Sequence, residues 1–168
     1  KSSTPAPCRI KIKEALKVIM TKDESALIQF IDDFRVHFKK LQPEEIAYPR
    51  SCNNLKKYTS SKDIYQKSCP IHVRGALLYN HQLKKRKLVK YEAVNEGDKI
   101  KFITLKEPNP LHENVISFIS TLPKEFDLHK YIDYDEQFNK SFLEPLKFIL
   151  NAINWNFEKK ASLEEFFG

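Results

Sequence analysis

The sequence predicts an α+β fold, mainly helical, with a small antiparallel β-hairpin or sheet inserted near its middle. Leu27, Ile31, Phe34, Phe38 and Leu41 recur at alternating spacings of four and three, and Phe138, Phe142, Leu146 and Ile149 are spaced as a second core stripe near the other end. Between these stripes, Val89 to Leu105 alternates around the turn-forming Asn95-Glu-Gly-Asp98, as two strands joined by a short loop would. With 168 residues, 41% of them hydrophobic, and only three glycines, the chain can build one sizeable core or two small ones.

Each element has its own signals. Ser3-Thr4-Pro5 opens the first helix, with Thr4 as cap and Pro5 at the first helical position. Ile12, Ala15, Leu16 and Ile19 then face inward, and Lys1, Arg9, Lys11 and Lys13 gather near exposed amide N–H groups. Such a helix start suits a phosphate, and equally an ordinary capped helix with a basic outer face. Thr21-Lys-Asp-Glu24 reads as a capping box for the second helix, which Pro43 stops. His37 on its surface carries no assigned chemistry.

Pro49 to Ser68 is polar and irregular. In Cys69-Pro-Ile-His-Val-Arg-Gly75, an arginine beside a glycine would let a guanidinium and bare backbone approach one ligand. From 99 onward, Ile100, Phe102 and Thr104 fall on one side of a strand, and Lys99, Lys101 and Ile103 on the other. A further strand or buried segment is expected at Val115–Ile119, ended by Leu122-Pro123. The last third is helical, Pro145 implies a kink or break, and Lys140 and Lys147 lie off the seam. Tyr131, Tyr134 and Trp155 are read as packing residues.

Charge narrows the function. The formal net charge is +7, and Lys56 to Lys101 holds twelve Lys and Arg against four acids, which leaves the remainder nearly neutral. A localised basic excess is the footprint of a phosphate-backbone binder, because each neutralised phosphate releases condensed counterions. Lys84-Lys-Arg-Lys87 alone also fits a solvated surface or a localisation signal. Cys8, Cys52 and Cys69 are odd in number and lack paired spacing, so they are expected as reduced thiols without metal. No apolar run spans a bilayer and no leader pattern is visible, which reads as a soluble, intracellular chain. The start at Lys1 suggests a fragment or processed piece.

The terminal Ala161-Ser-Leu-Glu-Glu-Phe-Phe-Gly168 has the pattern of a detachable anchor. With Ser162 as cap and Glu165 reaching back to it, Leu163, Phe166 and Phe167 share one face of a short helix. Two readings remain: the plug enters a groove on a partner, or it folds back onto its own core.

Several segments together resemble the C-terminal thumb of the family B DNA polymerases of T-even-like bacteriophages. They are Lys1-Ser-Ser-Thr-Pro5, Cys69-Pro-Ile-His-Val-Arg-Gly75, Tyr131-Ile-Asp-Tyr134, Phe138-Asn-Lys-Ser-Phe142 with Pro145-Leu146, and the tail from Glu158 through Lys160-Ala-Ser-Leu163 to Phe167-Gly168. Their order covers essentially the whole chain. Two stretches depart from that family: Tyr58 to Lys67 lacks the glycines and proline of the relatives, and Glu164-Glu165 adds an acid to the tail.

The resemblance implies a duplex-gripping thumb over residues 1–160 and a sliding-clamp-binding peptide over 161–168. Ser2, Ser3 and Thr4 would lie near the primer strand, with Arg74, Gly75, Lys84, Lys85, Lys87 and Lys140 also at the DNA. Leu163, Phe166 and Phe167 would enter the clamp. The implied partners are primer–template DNA, the polymerase palm and exonuclease portion, and the sliding clamp, with no membrane, in the cytoplasm of the infected bacterial host. The family's catalytic aspartates and proofreading carboxylates lie in other domains, so no catalytic or metal residue is expected here and Mg is expected in the palm of the complete polymerase. Asp32-Asp33, Asp133 and Asp135 are read as helix-surface and helix-start residues, not a two-metal site. A non-catalytic clamp-binding adaptor without duplex binding is the alternative, and a basic structural protein whose tail is core is a third reading.

Overall fold

The computed structural model describes residues 3–153, so the expectations for Ser2, Trp155 and the terminal peptide 161–168 lie outside the described residues. The chain is mixed helix and sheet, as the two periodicities predict. Helix α1 (Ala6–Thr21) packs on α2 (Glu24–Phe38), followed by the short α3 (Pro43–Ile46), β1 (Tyr48–Ser51) and α4 (Leu55–Tyr58). Helix α5 (Ile71–Lys85) lies across β3 (Val115–Phe118), with β2 (Lys99–Thr104) in the middle of the sheet. Two single 3₁₀ turns, Lys124–Phe126 and His129–Tyr131, lead into α6 (Tyr134–Phe138), a π-helical turn (Asn139–Leu143) and α7 (Glu144–Ala152).

The helical seams hold. Leu27, Ile31, Phe34 and Phe38 are buried, as are Phe138, Phe142 and Leu146, while Leu41 and Ile149 are half-buried at the margins. Phe34 meets Phe142 with ring centroids 4.8 Å apart and Phe138 at 5.5 Å, so α2 and the last helical run share one aromatic core. Ala15 and Ile19 of α1 are buried, with Ile12 and Leu16 packed at the edge.

Both helix starts are shifted from their expected caps. Pro5, not Thr4, caps α1, and its carbonyl accepts from Cys8 and Arg9 N–H at 3.1 Å each. Pro5 and Pro7 carry no N–H, so fewer donors are orphaned there and no side-chain cap forms. Thr21 closes α1 instead of opening α2, its hydroxyl donating to the Lys17 carbonyl at 2.6 Å. Asp23 caps α2 by accepting from Ala26 N–H at 3.0 Å, a carboxylate being the stronger acceptor for that role.

The expected hairpin around Asn95–Asp98 is replaced by a different pairing. In the antiparallel order β1–β2–β3, Tyr48 stands opposite Phe102 and Thr104 opposite Val115. Residues 89–94 are not a strand, because their backbone groups are satisfied by α5 side chains. The Asn80 amide both donates to the Val94 carbonyl at 3.0 Å and accepts from its N–H at 2.8 Å, and Tyr79 Oη donates to the Glu92 carbonyl at 2.9 Å. The Asn95–Asp98 turn, with Gly97 at φ +82°, instead docks on Cys52 through bonds of 2.7 and 2.8 Å. Strand alternation is also broken: Ile100 and Ile103, placed on opposite faces, are both buried.

The π turn accommodates Pro145. This residue lacks the N–H that would continue the ladder, and the wider turn just before it lets the run from Tyr134 to Ala152 pass without a break. Buried Gln137 then clasps three elements. Its carbonyl oxygen accepts from Thr104 N–H at 3.0 Å, and its amide donates to the Ile46 carbonyl at 2.9 Å.

Candidate nucleic-acid interface

The residues expected at DNA fall into two sets on different elements. The first surrounds a groove between the start of α1 and the run of α6, the π turn and α7. Thr4, Arg9, Lys13 and Lys140 line it together with the exposed apolar side chains of Ile10 and Phe148. The fold thus joins Thr4 to Lys140 across 136 positions of sequence, and adds Arg9 and Lys13 beside them. Lys140 lies in the π turn and pairs with Glu144 at 3.2 Å, an exposed contact of small energetic weight.

The second set belongs to α5. Arg74 sits one turn into the helix, and Lys84 and Lys85 close it, about 15 Å further along the axis. Two lysines in a last turn complement the negative end of the helix dipole whatever else they do. Lys87 follows in the left-handed region at φ +55°, while Leu88 N–H returns to the Leu83 carbonyl at 2.9 Å, so the basic run is also a helix-terminating motif. Arg86 points away to Gln82 Oε1 at 2.9 Å and the Glu125 carbonyl at 2.8 Å. Lys90 pairs with Glu125 at 2.9 Å, and Lys101 donates to the Glu44 carbonyl at 2.8 Å. The remaining Lys84, Lys85 and Lys87 are exposed and pair with no carboxylate among the described residues.

Gly75 has a structural demand that the sequence did not reveal. A Cβ there would lie 2.3 Å from Ser117 Oγ and 2.8 Å from Ser117 N, because α5 crosses β3 at that point. The Ser117 hydroxyl also donates to the His72 carbonyl at 2.9 Å. Gly75 is buried, and its missing side chain admits the strand. Burial, and then the charge of Arg50, hold His72 below the usual imidazole range.

Arg74 is half-buried and engaged. Its Nη1 lies 3.4 Å from Glu113 Oε2, and its guanidinium carbon is 5.7 Å from the centre of the Tyr65 ring. The Tyr65 hydroxyl donates to Glu113 Oε1. Sequence reasoning assigned nothing to Tyr65 or Glu113, and no local motif marks them, since they lie 48 residues apart.

The aspartates stand where helices need them. Asp133 caps α6 by accepting from Glu136 N–H at 3.0 Å, and Asp32 and Asp33 lie exposed on α2. Among the described residues no three His, Cys, Asp or Glu side chains gather as metal ligands, and no helix is long and apolar enough to cross a membrane.

The described residues thus form a helical body with a small sheet and two surfaces lined by Lys and Arg side chains. Along its whole length the chain is similar to bacteriophage DNA polymerases. It is 33% identical over 172 residues to the DNA-directed DNA polymerase of Escherichia phage RB69 and 29% identical over 171 residues to that of Enterobacteria phage T4. Each alignment takes in 99% of this chain, which spans only 19% of the relative's length. The resemblance to T-even phage polymerases drawn from the motifs is thereby borne out. No family model matches the chain.

Proposed function

We propose that this chain is the thumb of a family B DNA polymerase, holding primer–template duplex by phosphate contacts and tethering the enzyme to a sliding clamp. The observation that carries this reading is alignment of 99% of the chain with two DNA-directed DNA polymerases, from motifs at its first residues to those at its last. Thr4 and Lys140 act at one basic surface and Arg74, Lys84, Lys85 and Lys87 at the other, while Ser2 and Ser3 lie near the primer strand. Gly75 serves by letting α5 seat on β3 close enough to present Arg74. Such contacts position a duplex without reading its sequence.

Nucleotidyl transfer, with its Mg ions, belongs to the palm of the complete enzyme, and the thumb contributes by holding the substrate. Leu163, Phe166 and Phe167 would enter the clamp, raising the effective concentration of enzyme at the primer end in the cytoplasm of the infected host. The alternative, a clamp-bound adaptor, lacks the duplex contact.

Fluorescence anisotropy on a primer–template duplex over a salt series separates the two. The expected result is a steep salt dependence that flattens in the Arg74→Ala, Lys140→Ala double variant by about 0.9 for each phosphate that is no longer neutralised. No binding at low salt, or an unchanged slope, would favour the adaptor.

A further inference from the structure

The surroundings of Arg74 bear on how a duplex would be gripped. Arg74 and Glu113 keep 23% and 18% of their side-chain surface exposed, so the pair is sheltered but within reach of a ligand. The contact is single and long at 3.4 Å, where a firmly built arginine–carboxylate pair is bidentate and shorter. Most of the five guanidinium donors are thus left for a second anion, while the Tyr65 hydroxyl holds the carboxylate from its other oxygen. A carboxylate and a phosphate offer a guanidinium similar paired oxygens, so they compete for one fork.

We propose that Glu113, steadied by Tyr65, is a built-in competitor for the DNA phosphate at Arg74, so that this contact forms only when a duplex displaces the carboxylate. The inference rests on the duplex-gripping reading above. It makes the grip deliberately loose, since each phosphate bound at Arg74 replaces an ion pair the protein already has. A holding surface that must let DNA advance by a base pair at a time benefits from contacts that exchange instead of locking.

The test is a double-mutant cycle in the full chain, read by duplex anisotropy over a salt series. Glu113→Gln should raise affinity roughly two- to fivefold, the range that one partly exposed ion pair supports, with the salt slope little changed because the same phosphate is neutralised in both forms. That increase should vanish when Arg74→Ala is also present. Tyr65→Phe, which frees the carboxylate without touching a charge, should move affinity in the same direction by less. Glu107→Gln, an exposed acid in the same β2–β3 connection, controls for net charge and should leave the affinity nearly unchanged. Equal increases from Glu113→Gln with and without Arg74, or an increase matched by Glu107→Gln, would overturn the proposal in favour of generic charge. Weaker binding by a Glu113→Gln protein of unchanged melting temperature would overturn it differently, by making Glu113 an aid that aims Arg74. Absence of duplex binding by every form at low salt would remove the duplex reading itself, and this inference with it.

Discussion

Single residues carry charge and proton chemistry that the sequence only half discloses. The cysteines were legible as reduced thiols, and the structure shows all three free, with Cys8 and Cys52 fully buried. Burial pushes each of these two thiols from an ordinary 9.0 up to about 11, opposed at Cys8 by its 3.3 Å bond to Ser141 and reinforced at Cys52 by the nearby Glu96 carboxylate. An unfolded chain releases those protons near pH 9, whereas the native chain keeps them to about pH 11. The stability they contribute is therefore complete below pH 9 and disappears as pH climbs through 11. The urea midpoint should fall across that window, and the fall should be shallower in Cys8→Ala and Cys52→Ala proteins measured by far-UV circular dichroism. By contrast, the partners of Arg74 were not legible, because a contact between Tyr65 and Glu113 depends on two loops that only the completed fold brings together.

At the scale of elements, helices were read well and strands less so, for a physical reason. A helix such as α2 declares itself through four buried positions on one face, all local in sequence. Strand β1 is four residues long, contains Pro49, and sits at the sheet edge, so its pattern is too short to register and its proline argues against a strand. One partner of β2 was consequently assigned to residues 89–94 just ahead of it, when it comes from β1, before α5. Gly75 belongs to this scale too, because its role emerges only where α5 crosses β3. Gly75→Ala should destabilise the chain by about 1–3 kcal/mol, the cost of forcing a methyl group into a close-packed contact. Chemical denaturation would measure it. Since backbone Ser117 N is among the atoms met, at 2.8 Å, trimming Ser117 to alanine should not restore the loss.

For the whole molecule, the two basic surfaces mean that affinity should scale with how many phosphates are reached at once, not with any one lysine. The sequence located the basic excess of 56–101 and the basic start of α1, but not that the fold brings Lys140 to that start in one groove. On the proposed reading, holding a duplex and tethering to a clamp are separable. Removing residues 161–168 should abolish capture by the clamp in a pull-down while leaving the salt slope on duplex unchanged; a lowered melting temperature instead would mean that the peptide serves the core.

The π turn at Asn139–Leu143 has a final consequence for how this chain can vary in length. A π turn is one residue more than an α-helix needs and turns less at each residue, so losing a single residue there would leave the downstream helix nearly in phase but press Pro145, which has no N–H to donate, into an α-helical ladder. Leu146 and Leu150 would keep their buried face, while the room made for the proline ring would be gone. The irregular turn is thus a local allowance for one proline, and its length is constrained by Pro145 even where its side chains are free to change.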